Sequence, residues 1–386
     1  MCIGPVKRLC HWGPLAALGI TKLVMYATIS CCSMWWPPDN SLGGFINMAV
    51  FLAGCMLIFY NFLSAVFEGP GFLPLKWAPE SARDEVHLQY CKTCEGYKAP
   101  RSHHCRRCGR CVLKMDHHCP WINNCVGHVN HGHFTAFLLF SVLTCVQSTV
   151  ILSCSLYRAI HRTYYIYHGL EPIIHFSLIM LVICVFALGL SFGVVLAVGM
   201  LLYFQIRAIA RNRTGIEDWI LEKAIHRRTE NEPPFIYPYD LGWRENCMQV
   251  FGSCFEPVGD GITWKVRDGC HQYTLTLEQR EQKREKRCRT RAYSVVHSYS
   301  GRWLPLVHGW RVLTHPPFTD EPRIPLAVGE TVLVTRWRRY WLFGERSPPS
   351  GKNDRGWFPR CCCVDMTVPP PPPPQPEAPL DIKKQL

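Results

Sequence analysis

Four long apolar stretches, Pro14 to Trp36, Phe45 to Phe67, Phe134 to Tyr157 and Ile174 to Ile206, divide the chain. Each exceeds the ~20 apolar residues with which a helix crosses a bilayer, so the pattern predicts four transmembrane spans: residues 14–36, 45–67, 134–157 and 174–206. The fourth is longer than a bilayer requires and is expected to tilt or to run on as helix beyond the membrane. Within it, Gly189-x-x-x-Gly193 suits close helix packing. Lys22 interrupts the first stretch. A cation at a helix centre costs about 2.5–3.5 kcal/mol, so Lys22 is expected to face the bundle or to snorkel. The first stretch follows a short basic start, residues 1–13, and reads as an anchor instead of a cleavable signal.

The polar segments carry a different pattern. Residues 76–133 are basic and rich in cysteine and histidine, and residues 207–278 are mixed. Residues 279–291 form a mixed-charge stretch that reads as a helical or flexible linker. Beyond it lie short β-rich runs, Tyr293 to Tyr299, Thr331 to Trp337, Tyr340 to Phe343 and Trp357 to Val364. The sequence L-A-V-G-E-T-V-L-V, then Y-W-L-F-G-E, then G-W-F-P-R resembles a Src-homology-3 barrel over residues 292–365. Ser294, His297 and Ser298 stand where that barrel has an acidic loop, and Cys361 and Cys362 replace a polar-aromatic pair, which argues against peptide binding in an aromatic groove. The expected fold is therefore a mainly α membrane protein: four transmembrane helices, a cysteine-rich domain, which its charge and ligand spacing make a cytosolic two-zinc domain, and a small C-terminal β-barrel.

Charge sets the expected orientation. The loop Pro37 to Gly44 has no Lys or Arg, whereas Glu68 to His133 has nine, and Arg207, Arg211 and Arg213 follow the fourth span. The positive-inside rule then places both termini and the cysteine-rich domain in the cytosol, although Arg158 and Arg162 lie in the expected luminal loop. The formal charge of +13 invites a nucleic-acid reading. No knuckle, however, has the helix-borne histidine pair of a groove-reading finger, and the cations flank membrane spans, where anionic headgroups account for them. Nucleic acid is not an expected partner; the bilayer is.

From Cys91 to Cys125 the chain holds seven cysteines and four histidines. Two tetrahedral zinc ions need eight ligands. Cys91-x-x-Cys94 and Cys105-x-x-Cys108 are short knuckles. Neighbours such as His104 and Cys105 point to opposite sides of an extended chain, so the sites are expected to interleave. One set is Cys91, Cys94, His104 and Cys111; the other is Cys105, Cys108, His118 and Cys125. Each is a closed three-cysteine, one-histidine set of structural type. A disulfide framework is the alternative, disfavoured by the knuckle spacing and the basic surroundings of a reducing compartment. His103 has no metal role in this partition.

Asp116, His117 and Cys119 are left over. Residues i and i+2 of a strand share a face, so His117 can meet Cys119 while His118 turns to the metal. Asp116 could orient the far nitrogen of the His117 ring, and a histidine beside a thiol supplies the nucleophilic thiolate. The alternative makes Cys119 a ninth ligand or a buried structural cysteine.

Asp116-His117-His118-Cys119, in this setting, resembles the naming motif of the DHHC-type protein S-acyltransferases, or palmitoyltransferases. Glu68-Gly69-Pro70-Gly71 is similar to that family's D-P-G element, Thr214-Gly215-Ile216-Glu217 to its T-T-x-E with glycine for the second threonine, and Asn246 in N-C-M-Q-V-F-G to its C-terminal cytosolic motif. The likeness covers roughly residues 8 to 255. It implies transfer of a long-chain acyl group from palmitoyl-CoA or another acyl-CoA, through a Cys119 thioester, to cytosolic cysteines of membrane-associated proteins. Thioester exchange is nearly balanced, so no nucleotide hydrolysis is needed. Arg101, Arg106, Arg107 and Lys114 are candidates for the coenzyme A phosphates by proximity. Within the family, an appended barrel is similar to the member resident in the endoplasmic reticulum, and such a barrel could engage an adaptor or another acyltransferase.

The tail, residues 366–386, holds a proline run from Pro369 to Pro374 and the pair Lys383-Lys384, similar to a reticular retrieval signal. Cys361, Cys362 and Cys363 are candidates for S-acylation. Two other classes remain: a membrane-anchored zinc-module ubiquitin ligase, which needs no free cysteine, and a non-catalytic adaptor, which needs neither zinc nor Asp116-His117-x-Cys119.

Overall fold

The computed structural model describes residues 4–252, 255–319, 321–347 and 354–366; the proline run and Lys383-Lys384 lie outside them. The chain divides into two compact units that part after Arg280.

The first unit is built on four long helices, α1 (Trp12–Trp35), α2 (Leu42–Phe67), α3 (His131–Ile160) and, after the short α4 (Arg162–Tyr167), α5 (Leu178–Ala210). All four are long and apolar enough to cross a membrane. Their apolar character continues on the outside: Phe186, Phe192 and Leu196 of α5 and Phe45 and Met56 of α2 are exposed, the arrangement of a bundle solvated by lipid. α3 packs on α1, α2 and α5, and α1 also on α5. Gly54 makes one close approach possible, since a Cβ there would meet Thr144 Oγ1 at 2.4 Å. The expected packing role of Gly189 and Gly193 is not seen: nothing lies within 4 Å of a Cβ at either, so both face outward. Lys22 is exposed, which leaves snorkelling and excludes a bundle-facing position.

α1 starts, α2 ends, α3 starts and α5 ends at one face of the bundle, and the cysteine-rich segment is clamped there. It consists of three two-stranded antiparallel hairpins: β1 (Gln89–Cys91) with β2 (Gly96–Lys98), β3 (His103–Cys105) with β4 (Arg110–Val112), and β5 (His117–Cys119) with β6 (Asn124–Val126). Backbone carbonyls left free at the end of α2 take side chains from this module and the N-terminus: Ala65 O accepts from Asn130 Nδ2 at 2.9 Å, and Val66 O from Asn124 Nδ2 at 3.1 Å and Arg8 Nη1 at 2.8 Å. Gly71, at φ +79, turns the chain back so that its carbonyl accepts from Leu113 N at 2.9 Å. Gly13 lies so close to the loop after β5 that an added Cβ would sit 2.0 Å from Pro120 O.

After α5 come α6 (Gly215–Arg227), α7 (Trp243–Met248) and α8 (Thr274–Cys288); the mixed-charge stretch is thus helical as far as Cys288. The buried Asn246 side chain donates to Ala210 O at 2.9 Å and accepts from Leu241 N at 3.0 Å, tying the end of α5 to α7.

The second unit holds an antiparallel sheet of β7 (Arg291–Val295), β8 (Thr331–Trp337), β9 (Trp341–Ser347), β10 (Arg355–Pro359) and β11 (Cys363–Asp365), in the order β10-β9-β8-β7-β11, with α9 (Trp310–Thr314) beside it. Val332 and Val334 are buried and Leu333 between them is exposed, the period of two expected of a half-buried strand. They pack with Tyr293, Trp341, Phe343 and Trp357. Of the three S-acylation candidates, Cys361 is exposed and Cys362 and Cys363 are in the core, because residues 360–362 form a 3-10 turn.

Candidate active site and metal clusters

The strand period organises the cysteine-rich module. His104 lies directly across from Cys111, and His118 across from Cys125, so each hairpin presents one histidine and one cysteine on the same face. The knuckle before each hairpin adds two more thiols. The resulting groups are Cys91, Cys94, His104 and Cys111, and Cys105, Cys108, His118 and Cys125, with all donor atoms of a group within 4.8 Å of one another. In the first, His104 Nδ1 is 3.5, 3.4 and 3.8 Å from the Sγ atoms of Cys91, Cys94 and Cys111. In the second, His118 Nδ1 is 3.6, 3.4 and 3.6 Å from those of Cys105, Cys108 and Cys125. Tetrahedral zinc with bonds of about 2.3 Å to sulfur and 2.0 Å to nitrogen requires N···S edges of roughly 3.5 Å. Both clusters could hold zinc, and both close the coordination shell without an open position.

The opposite face of β5 carries His117 and Cys119. Asp116 Oδ2 accepts from His117 Nδ1 at 2.9 Å and from Gln205 Nε2 at 2.9 Å, and its Oδ1 accepts from the Gly215 backbone N at 2.8 Å. Burial alone would raise this carboxyl. The hydrogen bond and charge of His117, helped by His131 and Gln205, win and hold it well below the usual carboxylate range. Burial likewise opposes charge on His117, but its hydrogen bonds to Asp116 and Cys119 push the ring up to about 10. The ring rests edge-on against Phe134, with centroids 5.5 Å apart.

Two parts of this arrangement lie far away in sequence. Gln205, near the end of α5, bridges Asp116 and His131, whose Nε2 donates to Gln205 Oε1 at 2.8 Å. Nothing but its place at the polar end of an apolar span pointed to it. Gly215 contributes its backbone amide, a contact that does not depend on the side chain at that motif position. The amide is aimed by the capping box of α6: Thr214 Oγ1 accepts from Glu217 N at 3.3 Å, and Glu217 Oε2 from Thr214 N at 3.0 Å. Arg101 holds Glu217 in a bidentate pair, at 2.6 Å from Nε and 2.8 Å from Nη2, beneath the rings of Tyr239 and Trp264. Both charges are fully buried.

Arg101 is therefore not available to a coenzyme A phosphate, contrary to the expectation from proximity. Lys114 is not either: it is buried beside Trp264, and burial, followed by the charge of Arg101, pulls it down to about 7. Arg106 and Arg107 are exposed.

Cys119 and His117 open onto a cavity of about 360 Å³ inside the helix bundle. Its walls include Ala17 and Met25 of α1, Phe51 of α2, Phe134 and Cys145 of α3 and Val194 of α5. Phe134 to Cys145 covers roughly 16 Å of helix, so this is a deep, nearly all-apolar slot with polar atoms at its mouth. Such a shape accepts an extended hydrocarbon, with Thr21, Ser141 and Thr144 the few hydroxyl side chains along its length.

An apolar slot between the helices, with a Cys-His-Asp string at its mouth and two clusters nearby that could hold zinc, defines an acyl-handling membrane enzyme. The profile of the DHHC palmitoyltransferase family matches residues 84–222. The chain is 45% identical to Palmitoyltransferase ZDHHC6 of Homo sapiens over 378 residues, covering 92% of this chain and 91% of that one. It is 46% identical to Palmitoyltransferase ZDHHC6 of Danio rerio over 380 residues, 92% of each. A more distant relative, Probable protein S-acyltransferase 16 of Arabidopsis thaliana, is 37% identical over 243 residues, 60% of this chain and 82% of that one. The chain belongs to the DHHC palmitoyltransferase family.

Proposed function

We propose that this multi-pass membrane S-palmitoyltransferase works by two thioester exchanges through Cys119. The observation that carries this reading is the place of Cys119: on the face of β5 away from the metal cluster, beside His117, at the mouth of the apolar slot. In the first exchange the Cys119 sulfur attacks the carbonyl carbon of palmitoyl-CoA, a new C–S bond forms and the coenzyme A thiolate leaves. His117, charged when the thiolate is present, returns a proton to the leaving sulfur. In the second, His117 takes the proton of a substrate cysteine, whose sulfur displaces Cys119 from the acyl group. Asp116 holds the His117 ring through both. Zinc held by the two clusters would supply no reacting group; it would fix the hairpins that carry His117 and Cys119.

The acyl chain occupies the slot, with the reacting carbonyl at the polar end of the bundle, and exposed Arg106 and Arg107 are available to coenzyme A phosphates. The nine cations of the module segment support a cytosolic face, hence cytosolic thiols of membrane-associated proteins as acceptors. The endoplasmic reticulum membrane is the proposed location, on the resemblance and Lys383-Lys384; exchanging both lysines for serine tests the signal. We also read the five-stranded sheet as a closed Src-homology-3-like barrel, supported by the bridges Tyr299–Leu326 and Arg323–Trp357, and as a platform for an adaptor or a second acyltransferase. Incubation of the purified protein with labelled palmitoyl-CoA tests the reading: a hydroxylamine-sensitive label on the chain, passed on to an added cysteine peptide, is expected. A zinc-module ligase or an adaptor would take up none.

A further inference from the structure

The second unit carries an apolar protrusion that the sheet does not use. Between Gly301 and Thr314 the chain leaves the core, forms a 3-10 turn at Leu306–His308 and continues into α9. Trp303, Leu304, Leu306, Val307 and Trp310 all point outward, with Val307 94% and Trp310 75% exposed.

This is a held conformation. Val312 is buried, and its carbonyl accepts from Trp341 Nε1 at 3.2 Å. The His308 ring stands edge-on to Tyr299 with centroids 5.4 Å apart, its Nε2 donating to Ser298 O at 3.2 Å. Tyr299 donates to Arg302 O at 2.7 Å, and Arg323 lies over the Trp303 ring at 4.3 Å. The core thus fixes the inner side of the segment and presents the outer side.

We infer that this protrusion is a membrane-docking tip that inserts Leu306, Val307 and Trp310 into the interface of a bilayer bearing anionic headgroups. Three observations favour lipid over a protein ligand. A side chain as exposed as Val307 is a projection and not the wall of a groove, so it has nothing to enclose a peptide with. From Val296 to Thr319 the sequence contains no Asp or Glu, while Arg302 and Arg311 flank the apolar side chains and are themselves exposed; tryptophan and aliphatic tips rimmed by arginine match the chemistry of the headgroup boundary. Finally, the chain carries four membrane-capable helices, so a bilayer is always present at high effective concentration.

The test uses the full chain in nanodiscs of phosphatidylcholine with phosphatidylserine, the serine lipid carrying a photoreactive diazirine near its headgroup, with adducts mapped by mass spectrometry. Adducts are expected on the peptide spanning residues 303–313. They should fall several-fold in the combined Leu306→Ser, Val307→Ser, Trp310→Ser variant, and also when the same photolipid is diluted to a trace in phosphatidylcholine discs, after correction for lipid dose. Labelling of the four spans should be unchanged in the variant and serves as the control for folding. Adducts confined to the spans, or labelling of this segment indifferent to the substitutions and to anionic lipid, would overturn the inference.

Discussion

Asp116 joins three elements at the site. Its carboxylate accepts from His117, from Gln205 and from the Gly215 amide, so the ring of His117 can adopt one orientation only. Replacing Gln205 with leucine removes a hydrogen bond to a charged group, worth about 1.5–3 kcal/mol. If that loss appears in the transition state, acyl-enzyme formation should slow roughly ten- to a hundredfold, read by single-turnover labelling, with metal content unchanged. His117→Ala should also retain both metals and slow self-acylation by about a hundredfold to ten-thousandfold. The pairing of His117 with Cys119 was legible from the sequence because i and i+2 share a strand face whatever the fold. Gln205 was not: it lies 89 residues from Asp116, and one amide at the edge of an apolar span carries no periodic signal. Arg101 and Lys114 misled for a related reason. A cation near a site in sequence reads as a ligand for phosphate until tertiary packing shows it buried beneath aromatic rings.

At the level of elements, hairpin register and helix capping do the positioning. The two clusters follow from His104 facing Cys111 and His118 facing Cys125, so alternation and knuckle spacing sufficed to read the partition. Cys111→Ser and Cys125→Ser are each expected to lose one metal and to unfold their hairpin, measured as metal per chain and as protease sensitivity of residues 91–126. The start of α6 is set differently, by the buried pair of Arg101 and Glu217. Glu217 belongs to the motif after the fourth span and Arg101 to the cysteine-rich module, and their pairing across 116 residues is a tertiary fact. Burial alone would raise the Glu217 carboxyl, and Arg101 lowers it instead. Glu217→Gln leaves the Arg101 charge buried without its counter-ion and should destabilise the protein by about 3–5 kcal/mol, visible as a lower midpoint in thermal unfolding. The glycines at 189 and 193 show the converse: a motif that permits close packing does not compel it, and here both face outward.

For the whole molecule, a helix bundle with an apolar exterior carries a module whose two Cys/His clusters could hold zinc, and a thiol sits where an apolar slot meets polar donors. Four apolar runs and one cysteine-rich insertion were enough to read that plan. The slot itself was not readable, because its walls come from α1, α2, α3 and α5 at once and look, in sequence, like any other span residues. The central claim is that Cys119 is chemistry and its eight Cys and His neighbours are scaffold. It is tested most directly by one paired measurement on the wild type and Cys119→Ser: metal content, and hydroxylamine-sensitive acylation from labelled palmitoyl-CoA. Both proteins should hold two zinc ions per chain, and only the wild type should be acylated. A Cys119→Ser protein that loses a zinc ion, or that still forms the thioester, would contradict the account.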